Sequence, residues 1–421
     1  MKVLWIVNKI MPYPAEKLGL QKEVLGGWLD NLLSGLKKEK DLFLTVVAFY
    51  DGQALFTCEE DKVKYYLIPR KNYQHYDKKS YIYFQKINKD VNPDIVHIHG
   101  SEYPIGIECN NVLKNPKTIL SIQGLNTAIK DVYYGGMDLS DIIKNITLRD
   151  IIKRDGIINS RRKYQKRSKK EQELLHNIKY IIGRTDWDRS NVLAINNKLK
   201  YYHLDEIIRE EFYQHHWNIS NMERHSITIS QGYYPIKGLH NLIKAMTIVT
   251  KEYPDTKLYV TGFNVFNTRG IKYKLKLGGY GKYINKLIRD YHLENNVIFT
   301  GLLSEQETIK RMLKSNVIVV PSIVENESNS LTEAHILGVP TVAAFSGGMT
   351  NRIIHKKTGF LYPFNDYTML ANYIMEYLKN DNLCLEYTKN AYNVAKERNN
   401  KKKNIQKLIE IYNEVLSSNE E

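Results

Sequence analysis

Two glutamates, Glu325 and Glu333, stand with seven residues between them where an apolar run gives way to a polar one. Val317-Ile-Val-Val-Pro-Ser322 reads as a buried strand. Glu325-Asn-Glu-Ser-Asn-Ser-Leu-Thr-Glu333 reads as a loop entering a helix over Thr332–Leu337. Open α/β sheets bind their ligands outside the carboxyl ends of the strands. A helix N-terminus there offers free N–H groups to a phosphate, and a carboxylate beside it can grip a ribose through its paired hydroxyls. The bland alternative is that Ser330-Leu-Thr-Glu333 is a capping box, in which Glu333 only closes the helix end. A second candidate is Lys237 in Ile236-Lys237-Gly238-Leu239, where a strand opens into a helix. An ammonium there can meet an anionic ligand. A solvated lysine at a helix start is the plain reading of the same residue. Gly26-Gly27, after the first strand, lets backbone approach a phosphate or acceptor closely.

The elements that must hold these residues alternate between strand and helix. Val3–Val7, Phe43–Phe49, Ile95–Ile98, Thr118–Ile122 and Tyr180–Ile182 are short apolar runs of the kind buried on both faces of a parallel sheet. Trp28, Leu29, Leu32, Leu33 and Leu36 have helical spacing. A second series follows, with strands at Ser226–Ser230, Lys257–Thr261, Val297–Thr300, Val317–Val320 and Thr341–Ala344 and a helix at His240–Tyr253. From Asp366 the chain reads as helix, broken near Asn380 and Asn399. Such alternation predicts doubly wound α/β domains. A length of 421 residues predicts two of them. They are expected at 1–215 and 216–400, with a terminal helix at about 401–421 returning to the first.

Composition narrows the partners. The formal charge is +15, which suits a nucleotide diphosphate, an acidic lipid surface or nucleic acid. No nucleic-acid motif accompanies the densely basic run Arg161–Lys170, so nucleic acid is set aside. That run is either a solvated helix face or a dock for an anionic membrane surface. No apolar run is long enough to span a bilayer, and Met1–Val7 reads as a strand rather than a signal peptide. Cys58, Cys109 and Cys384 are far apart and in no metal spacing. These readings predict a cytoplasmic protein, peripheral at most to the inner face of a membrane. Asp186-Trp187-Asp188 spells Asp-x-Asp but in the wrong context for a metal pair. His97 and His99 flank Ile98 at a strand end; one could face an acceptor, and a zinc site would need a third ligand. A nicotinamide dehydrogenase is excluded because no Gly-x-Gly-x-x-Gly follows the first strand.

The Glu-x7-Glu pattern, Ala334, Gly338-Val339-Pro340 and the Lys-Gly element together resemble the retaining family 4 (group 1 type) glycosyltransferases of GT-B fold. Ser346-Gly347-Gly348 and Thr358-Gly359-Phe360-Leu361 resemble the loops that follow the glutamate helix there. The resemblance implies two Rossmann-like domains facing across a cleft, the first holding the acceptor and the second the nucleotide sugar. It implies that Glu333 holds the ribose and that Glu325 lies beside the donor sugar. Asn329, Ser330 and Leu331 would contact sugar or phosphate, and Lys237 the leaving diphosphate. Gly26 and Gly27 would line the donor site, and His99 is the acceptor-side candidate.

Two positions depart from the family pattern. Gly232 stands where an arginine is usual, five residues before the lysine. Arg184 is the candidate to replace that cation, or else a plain interdomain salt bridge. Gln123 stands where a histidine is frequent; it can position a sugar hydroxyl but takes no proton. The implied reaction moves a sugar from a UDP or GDP donor to a hydroxyl of a saccharide or lipid-linked saccharide. It proceeds with retention and without a cofactor or metal, in capsular, exopolysaccharide or lipopolysaccharide assembly. A sugar-nucleotide epimerase of the same fold and a non-catalytic sugar-nucleotide binder are the alternatives.

Overall fold

A computed structural model describes residues 1–20, 27–263 and 276–418. The chain divides into two compact units, Met1–Ala128 with Gln165–Arg209 and the C-terminal stretch from Asn399, and Ile129–Tyr164 with Glu210–Arg398. Each is built on one sheet.

The first sheet comprises β1 (Lys2–Ile6), β2 (Phe43–Tyr50), β3 (Phe56–Glu60), β4 (Val63–Pro69), β5 (Ile95–His99), β6 (Thr118–Ser121), β7 (Tyr180–Gly183) and β8 (Lys200–His203). Its order is β3-β4-β2-β1-β5-β6-β7-β8. All neighbours are parallel except β3, which pairs antiparallel with β4 at the edge. Strand side chains alternate between faces. Val3, Trp5 and Val7 join one apolar layer, and Leu4 and Ile6 join the other. This double burial is why β1 reads as an unbroken apolar run.

The second sheet comprises β9 (Ser226–Ile229), β10 (Lys257–Thr261), β11 (Val297–Gly301), β12 (Val317–Val320), β13 (Thr341–Ala344) and β14 (Phe360–Tyr362). It is parallel throughout, in the order β11-β10-β9-β12-β13-β14. Chain order reverses direction between β9 and β12, and in the first sheet between β1 and β5. These are the switch points at which such sheets open a crevice at their carboxyl edge.

The sequence reading misses β3, β4, β8 and β14 and places the boundary at 215/216 rather than after Arg209. It also places residues 129–164 in the first domain, where the fold puts them in the second unit. The physical reasons are local contacts. Buried His240 pairs with the Gly135 carbonyl oxygen at 2.8 Å. Gly135, at φ +63°, lies so close to the Pro235 carbonyl that a Cβ would sit 2.3 Å from its oxygen. Asp150 accepts from the Gly279 amide at 2.8 Å.

The terminal helix Lys401–Ser417 packs in the first unit, with Leu408, Ile411 and Tyr412 in the layer of Val3 and Trp5. Tyr412 fixes it there. Its hydroxyl accepts from Trp5 Nε1 at 2.9 Å and lies 2.6 Å from His97 Nδ1. An indole only donates, so the hydroxyl accepts from Trp5, and His97 Nε2 lies 2.7 Å from Ser121 Oγ. Burial pushes the His97 pKa down to about 3, which keeps the ring neutral. Tyr412→Phe strands both the indole N–H and the imidazole nitrogen. It should lower unfolding free energy by ~1–3 kcal/mol, read from denaturant midpoints at constant m-value.

Candidate functional site

At the switch point of the second sheet, the loop after β9 meets the loop after β12. Lys237 ends the turn Pro235–Lys237, and Gly238 begins the helix Leu239–Glu252. Gly238 adopts φ +73°, and a Cβ there would lie 1.9 Å from the Pro321 carbonyl oxygen. Only glycine permits that approach. The Ile323 amide bonds the Ile236 carbonyl at 2.9 Å, stitching the two loops together. The result is an ion pair between Lys237 Nζ and Glu325 Oε1, with both side chains largely shielded from water. The Lys237 ammonium also lies 5.7 Å from the centre of the Tyr234 ring.

The Glu325 backbone is held from a third side. The Gly348 amide donates to the Glu325 carbonyl at 2.8 Å. A Cβ on Gly347, at φ +53°, would meet that same carbonyl at 2.2 Å. Ser346 Oγ donates to the Ser322 carbonyl at 2.7 Å. The Ser346-Gly347-Gly348 loop therefore clamps the loop that carries Glu325.

The glutamate helix runs Asn329–Leu337, three residues earlier than the sequence predicts. Its N-cap is Ser328, whose hydroxyl accepts from the Leu331 amide at 3.4 Å. The capping box at Ser330–Glu333 is thereby corrected: Glu333 sits in the second turn, away from the capping position, and is buried. Asn329 and Ser330 occupy the first two helical positions, whose amides have no intrahelical acceptor. Glu327, between the two signature glutamates, forms a fully buried pair with Arg352 at 3.1 Å. The sequence reading missed this pair; its only sign was a third carboxylate inside the motif. Gly232, in the place of the family's arginine, lies against Leu239, where a Cβ would be 2.7 Å from its Cδ2. A side chain at this position would have to displace the end of Leu239.

Lys237, Glu325, Asn329, Ser330, Leu331 and Glu333 thus lie in the second unit, on three adjoining segments. The other expected residues lie in the first unit. Gly26 falls outside the described residues; Gly27 opens the helix Gly27–Leu36 against Arg209, 2.9 Å from a Cβ built there. Arg184 is buried in an ion pair with Glu206 at 2.5 Å and lies 5.3 Å from the Trp28 ring. Both partners lie in the first unit. His99 is also corrected: it is buried among Trp5, Trp28 and His97, with ring centroids 4.5, 5.8 and 3.9 Å away. Burial holds its pKa well below the usual histidine range. No face of it is left toward solvent for an acceptor. Asp188 accepts from the Arg184 amide at 2.8 Å and from Tyr201 OH at 2.5 Å, so it serves the start of helix Asp186–Ile195.

Gln123 follows β6, and its side-chain nitrogen is buried without a hydrogen-bond partner. Beside it is a residue the sequence reading passed over. Glu102 follows β5 at the switch point of the first sheet. Its carboxyl fills the space that Cβ atoms on Gly100 and Gly124 would take, 2.6 and 3.0 Å from its oxygens. Burial drives its pKa up to about 7, opposed by its own backbone amide and that of Gly124. The signal in the sequence was a carboxylate between glycine-bearing turns at two strand ends.

Two parallel α/β units, each with its functional loops at a switch point, define the GT-B class of fold. Sucrose-phosphate synthase from Thermosynechococcus elongatus superposes on 100% of this chain and 100% of its own, with TM-score 0.72 and 15% identity. HepE of Anabaena, in complex with UDP and glucose, gives 0.68 over 98% of this chain and 99% of its own, at 15% identity. WaaG, a glycosyltransferase involved in lipopolysaccharide biosynthesis, gives 0.64 over 97% and 99%, at 15% identity. Residues 212–394 match the model of the glycosyl transferases group 1 family. N-acetyl-alpha-D-glucosaminyl L-malate synthase of Bacillus anthracis is 26% identical over 201 residues, 48% of each chain. The putative colanic acid biosynthesis glycosyltransferase WcaL of Salmonella typhimurium is 26% identical over 127 residues, 28% of this chain and 31% of its own. The chain therefore spans less than half the length of these curated relatives.

The Glu102 carboxyl predicts a pH signature. The fold favours its neutral form, so its contribution to stability is full below the ordinary value of 4.5 and is lost as pH rises through about 7. Glu102→Gln should raise the thermal midpoint at pH 8 and leave it unchanged at pH 4, measured by calorimetry. An equal shift at both values would show that the charge is already neutralised in the native protein.

Proposed function

We propose that the chain is a glycosyltransferase that moves a sugar from a UDP or GDP donor to a hydroxyl of a saccharide or lipid-linked saccharide. The observation that carries this reading is the Lys237–Glu325 pair held beside the open end of helix Asn329–Leu337. A cation, a row of amides and a buried carboxylate one turn further in are what a diphosphate and its ribose require. The family match to the second domain and the fold it shares with a UDP complex support the same placement.

In this reading the donor diphosphate seats on the amides of Asn329 and Ser330, and Glu333 holds the ribose. In the unliganded site Glu325 keeps the ammonium in position. When the donor enters, the ammonium turns to the phosphate, and Glu325 is left beside the sugar. As the glycosidic bond breaks, negative charge grows on the departing diphosphate, and Lys237 with the helix amides stabilises it where it forms. The acceptor then attacks from the leaving-group face, and the departing phosphate takes its proton. That course retains configuration.

Gln123 is proposed as a hydrogen-bond donor to a sugar hydroxyl, on the strength of its unpaired buried amide. A glycan-assembly role, for a capsule, exopolysaccharide or lipopolysaccharide, follows the company of WcaL and WaaG. A peripheral site at an anionic membrane suits a lipid-linked acceptor. Among the described residues no helix is long and apolar enough to cross a membrane. Within Arg161–Lys170, several cations are turned to the protein. Arg161 donates to the Lys130 carbonyl at 3.0 Å, Arg167 to Gln74 at 3.0 Å, and Lys170 to Glu173 at 2.6 Å.

Lys237→Ala should lower kcat by ~100-fold or more with little change in donor affinity, since its charge acts on the departing phosphate. Glu333→Ala should instead weaken UDP-sugar binding by about tenfold or more, ~1.4 kcal/mol, measured by calorimetric titration. Wild-type donor turnover in both variants would reject the reading. Donor binding without any turnover, to acceptor or to water, would leave a binder rather than a transferase.

A further inference from the structure

Residues 139–152 carry a pattern that the transferase site does not use. Two short helices, Leu139–Lys144 and Leu148–Lys153, turn their apolar faces outward. Leu139 and Ile143 are 59% and 60% exposed; Leu148, Ile151 and Ile152 are 71%, 62% and 69% exposed; Ile146 between them is 40% exposed. The spacings i, i+4 and i, i+3, i+4 put each set on one helical face. Six of the twenty exposed large apolar side chains among the described residues thus fall within fourteen consecutive positions. Scattered apolar residues on a surface need no account, but a contiguous patch does.

The patch is not a loose loop. Ile142, Asn145 and Asp150 are turned inward and anchor it. Asp150 is buried, accepts from the Gly279 amide at 2.8 Å and closes a capping box with Thr147. Arg149 grips Asp155 through both guanidinium nitrogens at 2.8 and 2.9 Å. Lys282 Nζ donates to the Lys144 carbonyl at 3.1 Å. The exposed apolar side chains are therefore carried on helices anchored by these contacts.

Around the apolar face stand five exposed cations, Lys144, Lys153, Arg154, Arg162 and Lys163. The acids of the stretch 139–163 do not offset them at the surface: Asp150 is buried, Asp155 is paired with Arg149, and Asp141 is half-buried beside Tyr283. A cavity of about 260 Å³ opens at the same place, lined by Ile146, Ile151, Ile157, Ile158 and Arg162. Two copies of this chain meeting face to face here would oppose ten cations, which argues against a symmetric dimer. Apolar side chains ringed by lysine and arginine match the boundary between acyl chains and anionic headgroups.

We propose that the outward face of residues 139–152 inserts into the headgroup region of an anionic bilayer, with Lys144, Lys153, Arg154, Arg162 and Lys163 at the phosphates. The apolar face supplies depth and the cations supply selectivity for negative lipid. This attachment does not depend on the transferase reading.

The test is co-sedimentation of the full chain with vesicles of one-third phosphatidylglycerol in phosphatidylcholine, and with pure phosphatidylcholine. Wild type should bind the anionic vesicles and release them at high salt. The triple variant Leu148→Ser, Ile151→Ser, Ile152→Ser should bind them at least about tenfold more weakly, with an unchanged thermal midpoint because the replaced groups are exposed. Lys153→Gln with Arg154→Gln should weaken binding to the anionic vesicles. Ile151→Trp should show a blue-shifted indole emission on the anionic vesicles alone. Failure of wild type to bind, binding by the triple variant equal to wild type, or an unshifted indole would each overturn the proposal. So would loss in the triple variant of a concentration-dependent dimer with vesicle binding intact, which would assign the face to a second copy.

Discussion

The site edge of the second unit is shaped by two places where backbone approaches backbone too closely for any side chain. Gly238 lets the loop after β9 lie on Pro321 at the end of β12, and Gly347 lets the loop after β13 lie on Glu325. Both glycines have positive φ, so a larger residue would be strained twice, by its own conformation and by the clash. These contacts convert three strand ends into one rigid edge. Lys237 and Glu325 come from positions 88 apart, yet their partners in space are fixed by main-chain atoms rather than by long side chains alone. A site built this way holds its cation before any ligand arrives, which is what electrostatic stabilisation without reorganisation demands.

The same logic explains which parts were legible in the sequence. A strand buried on both faces leaves an unbroken apolar run, so β1, β2, β5, β6, β7, β9 and β12 could be read directly. Strands β3 and β4 could not. Phe56–Glu60 is an edge strand with alternating polar positions, and a two-residue turn at Asp61, in the left-handed region, breaks the run before Val63. Strand β14 has only three residues, Phe360–Tyr362, too few for a period to show. The helix after β12 was placed late because two serines compete as its cap. The chain uses Ser328, and Ser330 instead bonds to it at 3.0 Å. The glutamate pair itself was legible because it rests on residue type and spacing within one short segment. Arg352 and Glu102 were not, since each gains its meaning from a partner distant in the chain. The assignment of residues 129–164 failed for the same reason: what binds them to the second unit is Gly279, His240 and Pro235.

Buried charge in this protein is mostly matched charge. Arg184 faces Glu206, Arg70 faces Glu108, and Arg352 faces Glu327, all nearly inaccessible to water. Such pairs contribute little net stability, because desolvation offsets their attraction. Their value is positional, since removing one partner leaves an uncompensated charge. Arg352 pins Glu327 inside the loop that carries Glu325, so the motif's middle carboxylate serves the geometry of the outer two. Arg184 looks like a phosphate ligand in the sequence because a free arginine after a strand often is one. In the fold it pairs with Glu206 and lies over Trp28. At Gly232 itself the chain offers no side-chain cation.

Net charge and apolar exposure converge on one stretch of the chain. A formal charge of +15 spread evenly would be a statement about solubility alone. Here five exposed cations surround six exposed aliphatic side chains within residues 139–163. A globular protein gains nothing by fixing isoleucines in water on a mounted platform, since burying them would lower its free energy. Polar groups lie close at hand: Asp150 and Thr147 sit on the same short helix and could face the solvent instead. The chain turns them inward to cap helices, and the outward apolar face is the consequence. That arrangement leaves the apolar surface available to a partner of matching chemistry.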